Sequence, residues 1–534
     1  MTSPRAHDAL VVGAGHNGLA CACYLARAGM RVLVLEMADR IGGAAHTAAT
    51  VPDRPEYLFD TCSVVHNMIN MTTVPDELRL GEVGLEYVET DPFTVSFFPD
   101  GSAVRLYRSL DRTCGEIARY SPRDADAYRA FIREAEPIVE TALAGFRASG
   151  DGGGGPKEWG KRLASAYKTL LRAGPLRATY LAASPYGALL EETFETEHAR
   201  AGFAALAAHA TAGPHSPAGG FFVLWQAAYH RYGNWHARGG SGALTQAMRR
   251  RLEAWGGEVR TGARVERLLV REAPGRVAGV RLAGGEEIGA PRVVCAVNPQ
   301  TTLFGLLGEE YLSRALARRL WARHRSNAVQ FVVHAALDRL PPWPGHEHGD
   351  PARSDVWNGM QSVASSVAQV RRDFLQAEAG IAPDEPAAYV FTPSAIDPSM
   401  APPGKHGAYV ACASYPARFA DGSTWRKRGE REAWRLLDAV EARAPGFKGA
   451  VTGVAWRHAE DWEGEIGLLG GHPMHLDMTP DQMLLFRPDR ELADHRGPVP
   501  GLYLSGAGTS PGGGVSAVPG RAAARAVLED AGRS

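Results

Sequence analysis

The sequence predicts an α/β protein, with a parallel sheet in one domain and a mixed sheet under a helical cover in a second. Three observations predict it. The chain opens with strand, glycine turn, helix and strand. It closes with another short apolar strand that runs into a glycine-rich stretch and a helix. Its 534 residues exceed the ~250 to 300 at which one core usually stops growing. With 45% hydrophobic and 22% charged residues the composition is that of an ordinary globular protein. The formal charge of -1 argues against nucleic acid as the main partner, because neutralising phosphates takes an excess of Lys and Arg.

Residues 9–36 read ALVVGAGHNGLACACYLARAGMRVLVLE. Leu10 to Val12 and Val32 to Leu35 are apolar runs suited to strands buried on both faces of a parallel sheet. Leu19 to Arg27 carries small residues where a helix must approach the sheet closely, and Gly29 ends it. Gly13, Gly15 and Gly18 form G-x-G-x-x-G at the turn: a tight bend, a backbone that admits a pyrophosphate, and close packing of helix on strand. The helix amino terminus offers unpaired N–H groups and about half a positive charge to an anion. Glu36 closes the second strand, where an acid accepts hydrogen bonds from ribose hydroxyls and repels a 2′-phosphate. Together these residues predict a Rossmann-like dinucleotide site.

From about Pro122 to Trp235 the sequence is helix-rich, with a long helix expected over Asp124 to Phe146 and a surface loop at DGGGGP, Asp151 to Pro156. In 161–172, helical spacing groups Lys161, Lys168 and Arg172 opposite Leu163, Tyr167, Leu170 and Leu171. Such a helix is a lid with a solvated face or a peripheral membrane contact. A helix at Leu244 to Trp255 follows, then strands near Glu258 to Val265, Leu268 to Glu272, Val277 to Leu282 and Val293 to Ala296. Residues 310 to 480 mix strands and helices, and Leu502 to Ser505 is the closing strand. The six cysteines show no paired spacing, the residues before Ala9 are too few and too polar for a secretory signal, and no run of 18 apolar residues occurs. These features predict a cytoplasmic protein. No metal-binding set stands out.

The stretch after the ribose acid, Arg40-Ile41-Gly42-Gly43, makes the likeness specific. The sequence resembles the FAD-dependent amine oxidase and carotenoid desaturase superfamily, and within it the phytoene-desaturase-like flavoproteins. The subfamily likeness rests on Phe59 to Ser63, Ser121 to Ala125, Gly213-Pro214, Gly470-Gly471-His472 with Gln482 and Arg487-Pro488, and the terminal PGGGV. The resemblance implies that Arg40, Gly42 and Gly43 contact FAD, and that Val265 meets adenine through its backbone. It further implies that Gly506, Ala507, Gly513, Gly514 and Val515 meet the ribityl chain and flavin ring. Two positions depart from the pattern: Ala44 where many members have a further Arg, and Ala507 where many have Asp. Covalent flavin in the superfamily uses Cys or His near the ring, and Gly501 to Gly520 contains neither, so dissociable FAD is expected.

The expected organisation is an FAD domain from 1–110, 236–312 and 480–534, with a substrate domain and helical lid from 111–235 and 313–479. The expected activity is two-electron oxidation or reduction at carbon of a hydrophobic substrate, with oxygen or quinone as acceptor and desaturation first among the options. Hydride transfer needs a carbon placed over the ring and one proton managed. If a base is required, His66 is the candidate, because in relatives its segment passes near the flavin; a packed histidine is the alternative. His215, Tyr229, His230 and His472 are candidate substrate contacts in the presumed substrate domain. The rival activities are an amine or amino-acid oxidase and a binding protein that kept the fold without redox work; the complete glycine, acid and PGGGV set argues against the second.

Overall fold

The protein is described by a computed structural model covering residues 7–150, 174–271, 275–346 and 354–532. The glycine run 151–156 and the amphipathic segment 161–172 lie outside the described residues. Five strands form an all-parallel sheet in the order Leu502–Leu504, Val293–Cys295, Ala9–Val12, Val32–Leu35 and Glu258–Arg260. Leu10 lies opposite both Leu33 and Val293, which fixes the central register. Alternation divides the side chains between two cores. Val11, Val34, Val294 and Tyr503 pack under the helices His16–Arg27, Gly242–Ala254 and Val518–Asp530. Leu10, Val12, Leu33 and Leu35 pack on the opposite face against Val265, Leu268, Val277 and Leu282. Burying each such Leu or Val stabilises by ~1.5–3 kcal/mol, which explains why near-continuous apolar runs form these strands.

The second face of this sheet is covered by a three-stranded antiparallel layer, Val265–Arg271, Arg276–Leu282 and Glu287–Gly289. The single strand expected from Glu258 to Val265 is therefore two elements in different sheets, Glu258–Arg260 in the parallel sheet and Val265 at the start of this layer.

A seven-stranded mixed sheet forms the other half, in the order Val451–Arg457, Ala328–Leu337, His406–Pro416, Tyr389–Phe391, Met360–Ser362, Thr94–Phe97 and Ala103–Leu106. Thr94–Phe97 and Ala103–Leu106 depart from the expected boundary at residue 110. Thr94–Phe97 pairs in parallel with Met360–Ser362, so both strands belong to this second sheet. Helices cover one side of it. The longest spans Pro122–Gly150, extending the expected Asp124–Phe146 at both ends. Its Tyr128 and Phe131 rings pack on Phe203 of the helix Glu197–Ala208 with centroids 5.0 and 5.5 Å apart. No described helix is long and apolar enough to cross a membrane.

Candidate functional site

A cavity of about 890 Å³ runs between the two sheets and is walled by both. On the parallel-sheet side its lining includes Gly13, Gly15, Glu36, Gly43 and Val265, and from the carboxyl-terminal segment Gly506, Ala507, Gly514 and Val515. The two glycine-rich segments, remote in sequence, therefore share one cavity.

The glycine turn is held from below. Glu36, 8% exposed, accepts the Ala14 amide at 2.7 Å and the Ala38 amide at 3.0 Å. The Gly42 amide donates to the Ala14 carbonyl at 2.9 Å, which brings the second glycine pair beside the first turn. Gly18 and Gly42 do not line the cavity. A Cβ at Gly18 would stand 2.0 Å from the Gly13 carbonyl oxygen, so this glycine seats the helix against the turn. Arg40 also lies off the lining; its guanidinium is 2.9 Å from Glu465, and Arg457 meets the same carboxylate at 3.0 Å.

The carboxyl-terminal wall is built differently. Gly514 has φ +96°, and a Cβ there would lie 2.4 Å from Met68 Sδ; the backbone reaches the cavity because no side chain intervenes. Gly513 packs behind it, off the lining, against Met474. Ala507 is fixed by Arg487, a fully buried guanidinium that donates to the carbonyls of Met474, Leu476, Asp477, Gln482 and Ala507, the last at 2.8 Å. Burial lowers the Arg487 pKa to about 9, which leaves it charged at neutral pH.

Residues 18–528 match the family described as flavin containing amine oxidoreductase. The chain belongs to that family. A curated relative from Mus musculus, pyridine nucleotide-disulfide oxidoreductase domain-containing protein 2, is 31% identical, covering 98% of this chain and 94% of its own. A lycopene-forming phytoene desaturase from Pseudescherichia vulneris is 26% identical over 97% of this chain and 98% of its own. Among solved structures, putrescine oxidase aligns with a TM-score of 0.62 at 18% identity, covering 98% of this chain and 99% of that one. This member of the family is an FAD-dependent oxidoreductase.

The cavity fits FAD on its own evidence. His16 Nε2 and Asn17 Oδ1 are buried on its lining without a protein partner, at the amino terminus of the helix His16–Arg27. Leaving such atoms unpaired costs ~1–3 kcal/mol each, and a polar ligand on the helix terminus removes that cost. Burial lowers the His16 pKa to about 4, although the Gly514 backbone opposes the shift, so a neutral imidazole faces the flavoprotein's cavity.

His66 lines the same cavity, 1% exposed, with both ring nitrogens engaged: Nε2 with Ser241 Oγ at 2.7 Å and Nδ1 with Tyr87 Oη at 3.0 Å. Burial, then repulsion from His16 and His236, lowers its pKa to about 3. The imidazole is neutral and locked in orientation. Of the four candidate substrate contacts only Tyr229 lines the cavity, stacked on Phe93 with centroids 5.1 Å apart. The other three are corrected by their partners. His215 pairs with Glu378 at 3.3 Å, His230 bridges Tyr128 and the Arg108 carbonyl at 3.0 Å each, and His472 bonds Thr211 at 3.2 Å and Asp477 at 3.0 Å. Each imidazole satisfies scaffold polar groups and is absent from the lining.

Sequence reasoning passed over the second wall: His209, Gln330, Tyr389 and Tyr409 also line the cavity. One signal was available. Gln330 and His334 are the polar interruptions of the strand AVQFVVHAAL, Ala328–Leu337, and alternation puts both on one face.

Proposed function

We propose that this flavoprotein oxidises a carbon centre of a largely apolar substrate by two-electron transfer, with desaturation of a C–C bond as the leading reaction. The observation that carries the reading is the lining beyond the carboxyl-terminal segment: Phe93, Leu206, Met360, Phe391 and Leu468, with His66 and His209 held neutral by burial. Arg264, beside Val265, is the sole cation of the described lining. An apolar wall of this kind suits a polyene or acyl chain and offers no guanidinium to grip an amino-acid carboxylate. The named activity of the desaturase relatives points the same way.

Gly13, Gly15, Glu36, Gly43, Val265, Gly506, Ala507, Gly514 and Val515 are the proposed FAD wall, while Gly18, Gly42 and Gly513 shape it from behind. Bound FAD supplies the two-electron acceptor. The chain's own contribution is to exclude water, to hold the substrate carbon in place and to carry one proton away. His66, flanked by the Ser241 and Tyr87 hydroxyls, is proposed as the group through which that proton passes. Oxygen or a quinone is the proposed reoxidant. Anaerobic mixing with polyenes, acyl chains and amines tests the reading: loss of flavin absorbance with a polyene or acyl substrate is expected, and bleaching by amines alone would overturn it.

A further inference from the structure

The wall of the cavity formed by the mixed sheet is not wholly apolar, and its polar atoms have a defined hydrogen-bond direction. Gln330, on the strand Ala328–Leu337, places Nε2 2.8 Å from Tyr389 Oη and 2.6 Å from Tyr409 Oη. Tyr409 Oη lies 2.8 Å from the Cys62 carbonyl, which can only accept, so the single Tyr409 hydroxyl proton is committed there. The Gln330 atom beside Tyr409 must therefore donate. This fixes the amide with Nε2 toward both rings, and its second hydrogen goes to Tyr389 Oη. The Tyr389 oxygen thus accepts from Gln330, and its own O–H hydrogen has no acceptor among the described residues.

Tyr389 is 8% exposed, and the residue lines the cavity. The neighbouring His209, whose ring centroid is 4.2 Å from that of Tyr389, is oriented by the same logic. Its Nδ1 faces the Leu206 carbonyl at 3.2 Å and so carries a hydrogen, and burial keeps the ring neutral, which leaves Nε2 as an acceptor. At this end of the cavity the Tyr389 hydroxyl is the donor without a partner among the described residues; Gln330 Oε1 and His209 Nε2 beside it can only accept, and no cation lines this wall. A pure hydrocarbon would bury the Tyr389 hydroxyl unpaired, at the cost of a lost water hydrogen bond.

We propose that the Tyr389 hydroxyl, set by Gln330 and Tyr409, is a subsite for a neutral oxygen acceptor, so that the substrate is an apolar chain bearing a carbonyl or similar oxygen and not a plain hydrocarbon. This rests on the reading of the cavity as the substrate site. A carboxylate fits less well, because no guanidinium or ammonium accompanies the hydroxyl.

Binding to the FAD-loaded protein, followed by flavin difference spectra, tests the subsite separately from turnover. Two isoprenoid probes of similar length suffice, the ketone geranylacetone and the hydrocarbon β-farnesene. The wild-type protein is expected to bind the ketone about tenfold more tightly than the hydrocarbon. Tyr389→Phe is expected to bring the two affinities together, weakening the ketone through the lost hydrogen bond and tightening farnesene, which no longer buries an unpaired hydroxyl. The infrared carbonyl stretch of bound geranylacetone, shifted to lower frequency in the wild type, supplies a readout that does not depend on the variant folding. Equal affinities in the wild type, no binding of the ketone, an unshifted stretch, or a Tyr389→Phe variant that keeps the preference would each overturn the subsite. A preserved preference for the ketone in a protein whose flavin no panel member reduces would instead sink the redox reading and leave the subsite standing.

Discussion

The carboxylate of Glu36 accepts the amide hydrogen of Ala14 at 2.7 Å, so the acid at the end of the second strand braces the glycine turn from within the protein. Its other oxygen takes the Ala38 amide at 3.0 Å. Replacing it by alanine orphans two amides beside the cavity. Glu36→Ala is expected to weaken FAD binding by about ten- to a hundredfold, with Glu36→Gln between it and the wild type because one acceptor oxygen survives. Fluorescence of released flavin during dilution measures both.

Gly18 acts without touching the cavity. Gly18→Ala drives a methyl group into the Gly13 carbonyl oxygen, 2.0 Å away, with the Ala296 side chain at 3.1 Å behind it. That carbonyl oxygen cannot yield without moving the turn. A loss of roughly 3 kcal/mol or more is expected, read as a lowered unfolding midpoint together with substoichiometric FAD. An alanine variant with wild-type stability and flavin content would refute the packing role.

Arg487 ties the chain from Met474 to Gln482 onto Ala507 through five carbonyls. Lysine carries the charge but cannot spread donors across that arc. Arg487→Lys is expected to cost roughly 3 to 5 kcal/mol and to loosen the wall at Ala507, so thermal unfolding and flavin retention should fall together.

Acid should destabilise the protein. Burial lowers the pKa of His16, His46 and His209 to about 4, and of His66, His334 and His475 to about 3, against 6.5 when unfolded. The unfolded chain binds more protons at these sites below 6.5, so their contribution is complete above that value and is lost as pH falls toward 4. Two buried carboxyls work the other way: burial raises Asp60 to about 6 and Asp373 to about 7, and their contribution is greatest in acid. Six imidazoles outweigh two carboxyls at about 1.4 kcal/mol per proton per pH unit, so the unfolding midpoint should drop between about pH 7.5 and about pH 5. A flat profile across that range would show that the imidazoles are not buried in solution.

The parallel sheet was readable because strands buried on both faces must be apolar at consecutive positions, as at Leu10 to Val12 and Val32 to Leu35. Glycine spacing located the turn for the same kind of reason, since only backbone fits where Gly18 meets Gly13. The boundary at 110 failed because alternation shows that Thr94 to Phe97 form a strand without showing its partner, Met360–Ser362, far along the chain. The substrate-side histidines failed similarly. Nothing local distinguishes His230, which bridges Tyr128 to a backbone carbonyl, from His209 on the cavity. The hydroxyl geometry around Gln330 depends on three strands and a loop at Cys62, and no spacing within one of them encodes it.

The order of the strands also sets a timetable. Val293–Cys295, the neighbour of Ala9–Val12, is made only after most of a domain has followed it, and Leu502–Leu504 comes later still. During translation the glycine turn exists without the segment from Gly506 to Val515 that walls the same cavity. On the proposed FAD wall, capture of the cofactor waits for residues through Val515, and a ribosome that stalls before residue 502 is expected to release an apoprotein with an open sheet edge.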